Sequence, residues 1–128
     1  MSLPQTDWIA AAGVGDTAKL QQALDAGANV NLRDSAGNSA LIYAASGGHA
    51  EVVRILLARA ADVNLQGNDG STALMYAVQG GHQAVVELLL SAGAATKPSN
   101  WMGATALSLA HGTRHPAILA MLNAAGER

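Results

Sequence analysis

The chain has no cysteine and no phenylalanine, and aromatic residues make up only 3% of it. Without thiols there can be no disulfide framework, no thiolate nucleophile and no cysteine-ligated zinc, which fits a reducing compartment. The scarcity of rings excludes a core centred on large aromatic side chains. Half of the residues are hydrophobic, mostly Ala, Leu and Val, which suits helices packed closely in layers. Charge is also sparse: 7 Lys and Arg stand against 9 Asp and Glu, with no basic block. The electrostatic footprint of a nucleic-acid-binding protein is therefore missing. No stretch reaches the roughly 18 uncharged apolar residues of a membrane span. Met1 to Val14 carries no cationic region ahead of an apolar run, and Asp7 interrupts it, so no signal peptide is expected. These absences predict a soluble cytoplasmic protein with neither nucleic acid nor membrane as partner. At 128 residues the chain is expected to form one domain with a single elongated core.

What is present repeats. Gly37, Gly70 and Gly103 lie 33 residues apart, as do Ala44, Ala77 and Ala110, His49, His82 and His115, and Leu56, Leu89 and Leu122. Segments 34–66 and 67–99 align without a gap and are identical at 13 of 33 positions. Ala11, Leu24, Gly27, Ala28 and Val30 extend the register backward, under Ala44, Leu57, Ala60, Ala61 and Val63. Four units result, at 1–33, 34–66, 67–99 and 100–128. Self-similarity at this period marks a stack of supersecondary units, none of which can bury its apolar face alone.

Each unit reads as a turn, a short helix, a tight reversal, a longer helix and a loop. In the second, Asp34-Ser35-Ala36-Gly37 is a turn cluster, and Ser39 can cap a helix over 40–46, as Thr72 and Thr105 can in the following units. Leu41 and Ala44 share one face of that helix. Gly47-Gly48 breaks it, because glycine accepts the left-handed angles of a reversal. A second helix is predicted over 49–59, with Val52, Val53, Leu56 and Leu57 as its buried stripe. Helices this short are marginal alone.

The strings Gly37-Asn38-Ser39-Ala40-Leu41-Ile42-Tyr43-Ala44-Ala45, Gly70-Ser71-Thr72-Ala73-Leu74-Met75-Tyr76-Ala77 and Gly103-Ala104-Thr105-Ala106-Leu107-Ser108-Leu109-Ala110 resemble the first-helix motif of the ankyrin repeat family. Gly48-His49 and Gly81-His82 are similar to its second-helix start, and Gly93-Ala94 and Ala61-Asp62-Val63-Asn64 to its loop ending. The resemblance covers the whole chain and implies an all-α solenoid of four helix-turn-helix units joined by hairpin-like tips. Two positions depart from the motif. Ala40, Ala73 and Ala106 replace its proline, and Ile42, Met75 and Ser108 replace its histidine, so packing should carry more of the load where that histidine normally ties adjacent turns. The end units read as caps. Asp16 takes the histidine position, with Lys19, Gln21 and Gln22 on the same helix; Arg114 replaces the inner glycine, Asn123 a core Leu, and Pro116 sits at a first turn. A monomer and a complete array are expected, since solenoids need polar ends.

No constellation points to catalysis or to a cofactor. His49, His82 and His115 would lie about 8–10 Å apart on stacked helices, whereas zinc ligands converge to about 2 Å from one ion. They form a ladder, each ring capping or bonding the turn before its helix. His111 and His115 have i, i+4 spacing, but Gly112-Thr113 and a predicted reversal separate them. The Gly-Gly pairs follow no strand and precede no Gly-Lys-Ser/Thr, and no Gly-x-Ser-x-Gly is present. The acidic residues are scattered.

The family resemblance implies binding of a protein partner through the turn tips and the exposed side of each first helix. By position these are Arg33, Ser35, Ala36 and Asn38; Gln66, Asn68, Asp69 and Ser71; Ser99, Trp101, Met102 and Ala104; with Ser46, Gln79 and Thr113 at the helix ends. Tips touch solvent and are free to vary for recognition. Trp101 and Met102 are the notable pair, and two readings stay open: an interface anchor, or a Trp101 folded over the neighbouring turn to shield the last unit. Trp8, under Leu41, belongs to the core, and Tyr43 and Tyr76 are expected to be half-buried. The function expected is a non-enzymatic protein–protein interaction module, an adaptor or inhibitor. The alternative is a structural protein without a defined epitope.

Overall fold

Short helices need their ends satisfied, and side-chain oxygens do this at the start of each first helix of the three later units. Ser39 Oγ accepts from the Ile42 amide at 3.4 Å, Thr72 Oγ1 from Met75 at 3.2 Å and Thr105 Oγ1 from Ser108 at 3.1 Å. Ser108 Oγ accepts in return from the Thr105 amide at 2.8 Å, completing a capping box. Each such cap contributes about 1 kcal/mol. The computed structural model describes residues 7–126, in which eight helices and no strands are found. They are α1 (Asp7–Gly13), α2 (Thr17–Asp25), α3 (Ala40–Gly47), α4 (Ala50–Ala58), α5 (Ala73–Gln79), α6 (Gln83–Ser91), α7 (Ala106–Gly112) and α8 (Pro116–Gly126).

The helices pair as hairpins and stack in two layers. One layer runs α1, α3, α5, α7, and the other α2, α4, α6, α8, each helix against the next. The first layer is built on alanine: Ala12, Ala40, Ala44, Ala45, Ala73 and Ala77 are buried, so the backbones approach closely. Larger side chains fill the seam between layers, including Ile9, Leu41 and Leu74 from one side and Val53, Leu56, Val86, Leu89, Ile118 and Leu122 from the other. The second-layer stripe is narrower than its sequence suggests. Leu57 and Leu90 are only half-buried at its edge, and Asn123, one period on, is exposed. The polar substitution there costs no buried amide.

The histidine ladder works differently from a cap. His49 and His82 occupy the N-cap positions of α4 and α6 but make no capping bond with their side chains. Each instead reaches one unit back: His49 Nε2–H donates to the Gly13 carbonyl at 2.9 Å, and His82 Nε2–H to the Ser46 carbonyl at 3.1 Å. Those carbonyls end α1 and α3 and lack helical partners of their own. Glycine at the reversal makes room. A Cβ on Gly48, at φ 73°, would lie 2.5 Å from His82 Nδ1. In the first unit Asp16 caps α2 by accepting from the Lys19 amide at 3.1 Å. In the last, Arg114 carries a side chain where the glycines admit an imidazole.

Candidate functional site

The tips between units are tight reversals fastened by backbone bonds. In the first, the Asp34 amide donates to the Asn38 carbonyl at 3.0 Å and the Gly37 amide to Asp34 at 2.9 Å. Gly67 to Ser71 and Gly70 to Gly67 repeat this, as do Asn100 to Ala104 and Gly103 to Asn100. Neighbouring tips are joined by single rungs: the Asn68 amide donates to the Ala36 carbonyl at 3.1 Å, and the Trp101 amide to Asp69 at 2.9 Å. These rungs hold the three tips in a row without forming strands.

Several polar residues expected at the surface for recognition also fasten the tips to one another. Arg33 donates from Nε to the Gly37 carbonyl at 3.0 Å and from Nη2 to Gln66, one period ahead. Gln66 Nε2 donates to the Gly70 carbonyl at 2.7 Å and, more weakly, to Ser99 at 3.4 Å. Asn68 Nδ2 donates to the Ser35 carbonyl at 3.1 Å. These side chains tie neighbouring tips together, while Ile42 and Met75, in place of the motif's histidine, are buried. Ser71 is buried, its hydroxyl donating to Asp69 and accepting from Asn100 Nδ2. It belongs to the scaffold behind the tips. Asn38 is half-buried over Gly67. Thr113 caps the end of α7, its hydroxyl donating to the Ala110 carbonyl at 3.0 Å.

Arg33, Gln66 and Asn68 are exposed although their side chains are engaged, and Ser35, Ala36, Ser46, Asp69, Gln79 and Ser99 are exposed as well; Trp101 and Met102 stand at 82% and 90% exposure. A Trp101 so exposed shields little of the last unit, although its Cδ1 lies over Gly70. Trp8 is buried in the core, as its register implies.

The structure adds two tyrosine–aspartate pairs, whose tyrosines the sequence reading kept out of the binding set although Asp69 was in it. The Tyr43 hydroxyl donates to Asp34 Oδ2, and the Tyr76 hydroxyl to Asp69 Oδ2 at 3.5 Å. Both rings are half-buried and both lie on the first-helix layer. Burial pulls the Asp34 carboxyl upward, but bonds from the Tyr43 hydroxyl and from the Asn38 and Ala36 amides outweigh it, and the group is held below its ordinary value. The Tyr43 phenol is raised by its bond to Asp34 and by burial, the Tyr76 phenol by burial and by the Asp69 charge. The sequence signal was available in the alignment of Tyr43 with Tyr76, but nothing in the spacing says which aspartate each would meet.

Chemically this surface offers hydrogen bonding, two carboxylates and apolar contact. His111 lies in the last turn of α7 and His115 precedes α8, so the pair does not share a helix. Among the described residues no three His, Asp or Glu side chains converge as metal ligands. A cavity of about 590 Å³ lies away from the tips, at the α1–α2 end, with Trp8, Ala23, Ala28 and Leu32 on its walls. No helix among the described residues is long and apolar enough to cross a membrane.

A search of curated proteins finds no match to the chain. A family model described as ankyrin repeats (3 copies) matches residues 8–100 and again 60–127. With eight helices stacked as four pairs and a family match across nearly its whole length, the chain belongs to the ankyrin repeat family.

Proposed function

We propose that the chain is a non-enzymatic interaction module, a single four-repeat domain that holds a protein partner against its tips and first helices. Ankyrin repeats are in general protein–protein interaction modules, and no enzyme family matches. The observation that carries the reading is the exposure of Trp101 and Met102 side by side on one rigid tip. Two large apolar side chains held in water by a hydrogen-bonded reversal lose nothing on folding and gain on burial by a partner. Trp is enriched among interface anchors, and Met adapts to irregular surfaces. Ser35, Ser46, Asp69 and Gln79, exposed on the same helix layer and its tips, add polar positions.

The test is affinity capture with the wild-type chain and with a Trp101→Ala, Met102→Ala double variant, both shown to be folded by circular dichroism. A partner retained by the first and lost by the second supports the reading. Equal retention by both moves the epitope off the last tip.

A further inference from the structure

The few charges of this chain are unevenly placed. The first helices and the tips carry Asp7, Asp34 and Asp69 against Arg33 alone, whereas six acids and six bases share the rest of the sequence. Asp7 lines the cavity at the α1–α2 end, and the tips themselves hold Asp34 and Asp69 against Arg33, an excess of negative charge. The Arg33 guanidinium is turned to protein carbonyls, those of Gly37 and Gln66. Along the same side run three adjacent features: Tyr43 bonded to Asp34, Tyr76 bonded to Asp69, and the exposed Trp101–Met102 pair joined to Asp69 through the Trp101 amide.

Taking the interaction module as given, we infer that the partner presents a cationic, apolar segment: Lys or Arg side chains against Asp34–Tyr43 and Asp69–Tyr76, and an apolar side chain on Trp101 and Met102. Each element of the row has a reason to prefer that occupant. The tyrosine hydroxyls are turned to the carboxylates, so each ring is held beside a negative charge, and a cation placed there meets both the charge and the ring face. An acidic segment would meet like charge, with no unengaged Lys or Arg among the tips to receive it. The Trp101–Met102 end has no carboxylate of its own beyond Asp69, and it suits the apolar part of the segment.

The experiment uses the full chain and three synthetic peptides of one length, with Leu and Ala at alternate positions and Arg, Gln or Glu between them. Binding is followed by fluorescence anisotropy. The Arg peptide should bind saturably, more tightly than the Gln peptide, and the Glu peptide least. Its affinity should fall about tenfold in an Asp34→Asn, Asp69→Asn variant and with added salt. A Glu51→Gln, Glu87→Gln variant, altered on α4 and α6, should leave it unchanged. If the aspartate variant unfolds, Asp69→Asn alone and Trp101→Ala with Met102→Ala, at exposed tip positions, take its place, and each should weaken the Arg peptide severalfold. Failure of the Arg peptide to bind, equal binding of Arg and Glu peptides, or equal loss in the α4–α6 variant would overturn the cationic assignment. The interaction module itself is judged apart from this: a Gln peptide bound through Trp101 and Met102, whatever the aspartates do, keeps the module and removes only the charge preference.

Discussion

His82 and Ser46 lie 36 residues apart, yet the His82 Nε2–H meets the Ser46 carbonyl at 3.1 Å, closing the end of α3 with a ring from the next repeat. His49 does the same for Gly13 at 2.9 Å. Because the bond crosses a repeat boundary, it couples units that would otherwise rely on packing alone, and in a solenoid stability depends on those boundaries. His82→Ala removes the bond and leaves the carbonyl to water. A loss of about 1–2 kcal/mol is expected in denaturant unfolding. Gly48→Ala should cost at least as much, since it adds both a left-handed alanine and a clash with the ring. Unchanged midpoints for both variants would show that the ladder is not holding the repeats together.

Ala60 has φ 65°, the same left-handed corner that Gly27 and Gly93 occupy at φ 94° and 89° in the repeats on either side. Only the glycines adopt it without strain. Ala60→Gly should therefore stabilise the chain, by about 0.5–1 kcal/mol once the extra freedom of glycine in the unfolded state is subtracted. Gly93→Ala is the mirror experiment. No atom lies within 4 Å of a Cβ there, so any loss is backbone strain alone. A destabilised Ala60→Gly would mean that the alanine methyl contributes packing worth more than the strain.

The Asp34–Tyr43 bond gives stability a defined pH profile. The Asp34 carboxyl is held below its usual value, so its contribution is present above the unfolded-state value and is lost as pH falls below about 4. The Tyr43 phenol is raised, so its contribution is present at neutral pH and is lost as pH rises above about 10. Tyr43→Phe should bring the Asp34 titration, followed by carboxyl NMR shifts, back toward the ordinary range. It should also reduce the difference in stability between pH 7 and pH 3. An Asp34 titration unmoved by the variant would place the cause in the Asn38 and Ala36 amides alone.

Leu56 is fully buried in the seam between the two helix layers. Leu56→Ala should cost about 2–5 kcal/mol, read from chemical denaturation, because the alanine-lined neighbours cannot collapse far into the space. Trp101→Ala with Met102→Ala should stay within about 0.5 kcal/mol of wild type in the same assay. A large loss from the tip variant would mean that these side chains support the last repeat after all.

Much of this architecture is legible in the sequence. The period places every helix within a residue or two, the caps at Ser39, Thr72 and Thr105 occupy their expected positions, and Trp8 lies in the core where its alignment with Leu41 puts it. These features are local or periodic, and a repeat sequence states them several times over. The role of the histidines was legible only in part. Their spacing excludes a shared metal, but the partner of the His49 and His82 rings is a carbonyl in the preceding repeat, which no pattern within one repeat names.

The tips divide along the same line. Sequence by itself determines that residues 33–38, 66–71 and 99–104 form exposed reversals, because turn chemistry and glycine placement are local. Only the tertiary structure decides which of their side chains remain unengaged. Arg33, Gln66 and Asn68 are long enough to reach carbonyls across a tip or in the neighbouring one, Ser71 is covered by its neighbours, and Tyr43 and Tyr76 swing onto aspartates of the tips. Stacking brings positions 33 residues apart within hydrogen-bond distance, and that proximity, set by packing of the helices, ties down the polar tip side chains and leaves Trp101 and Met102 exposed at the last tip.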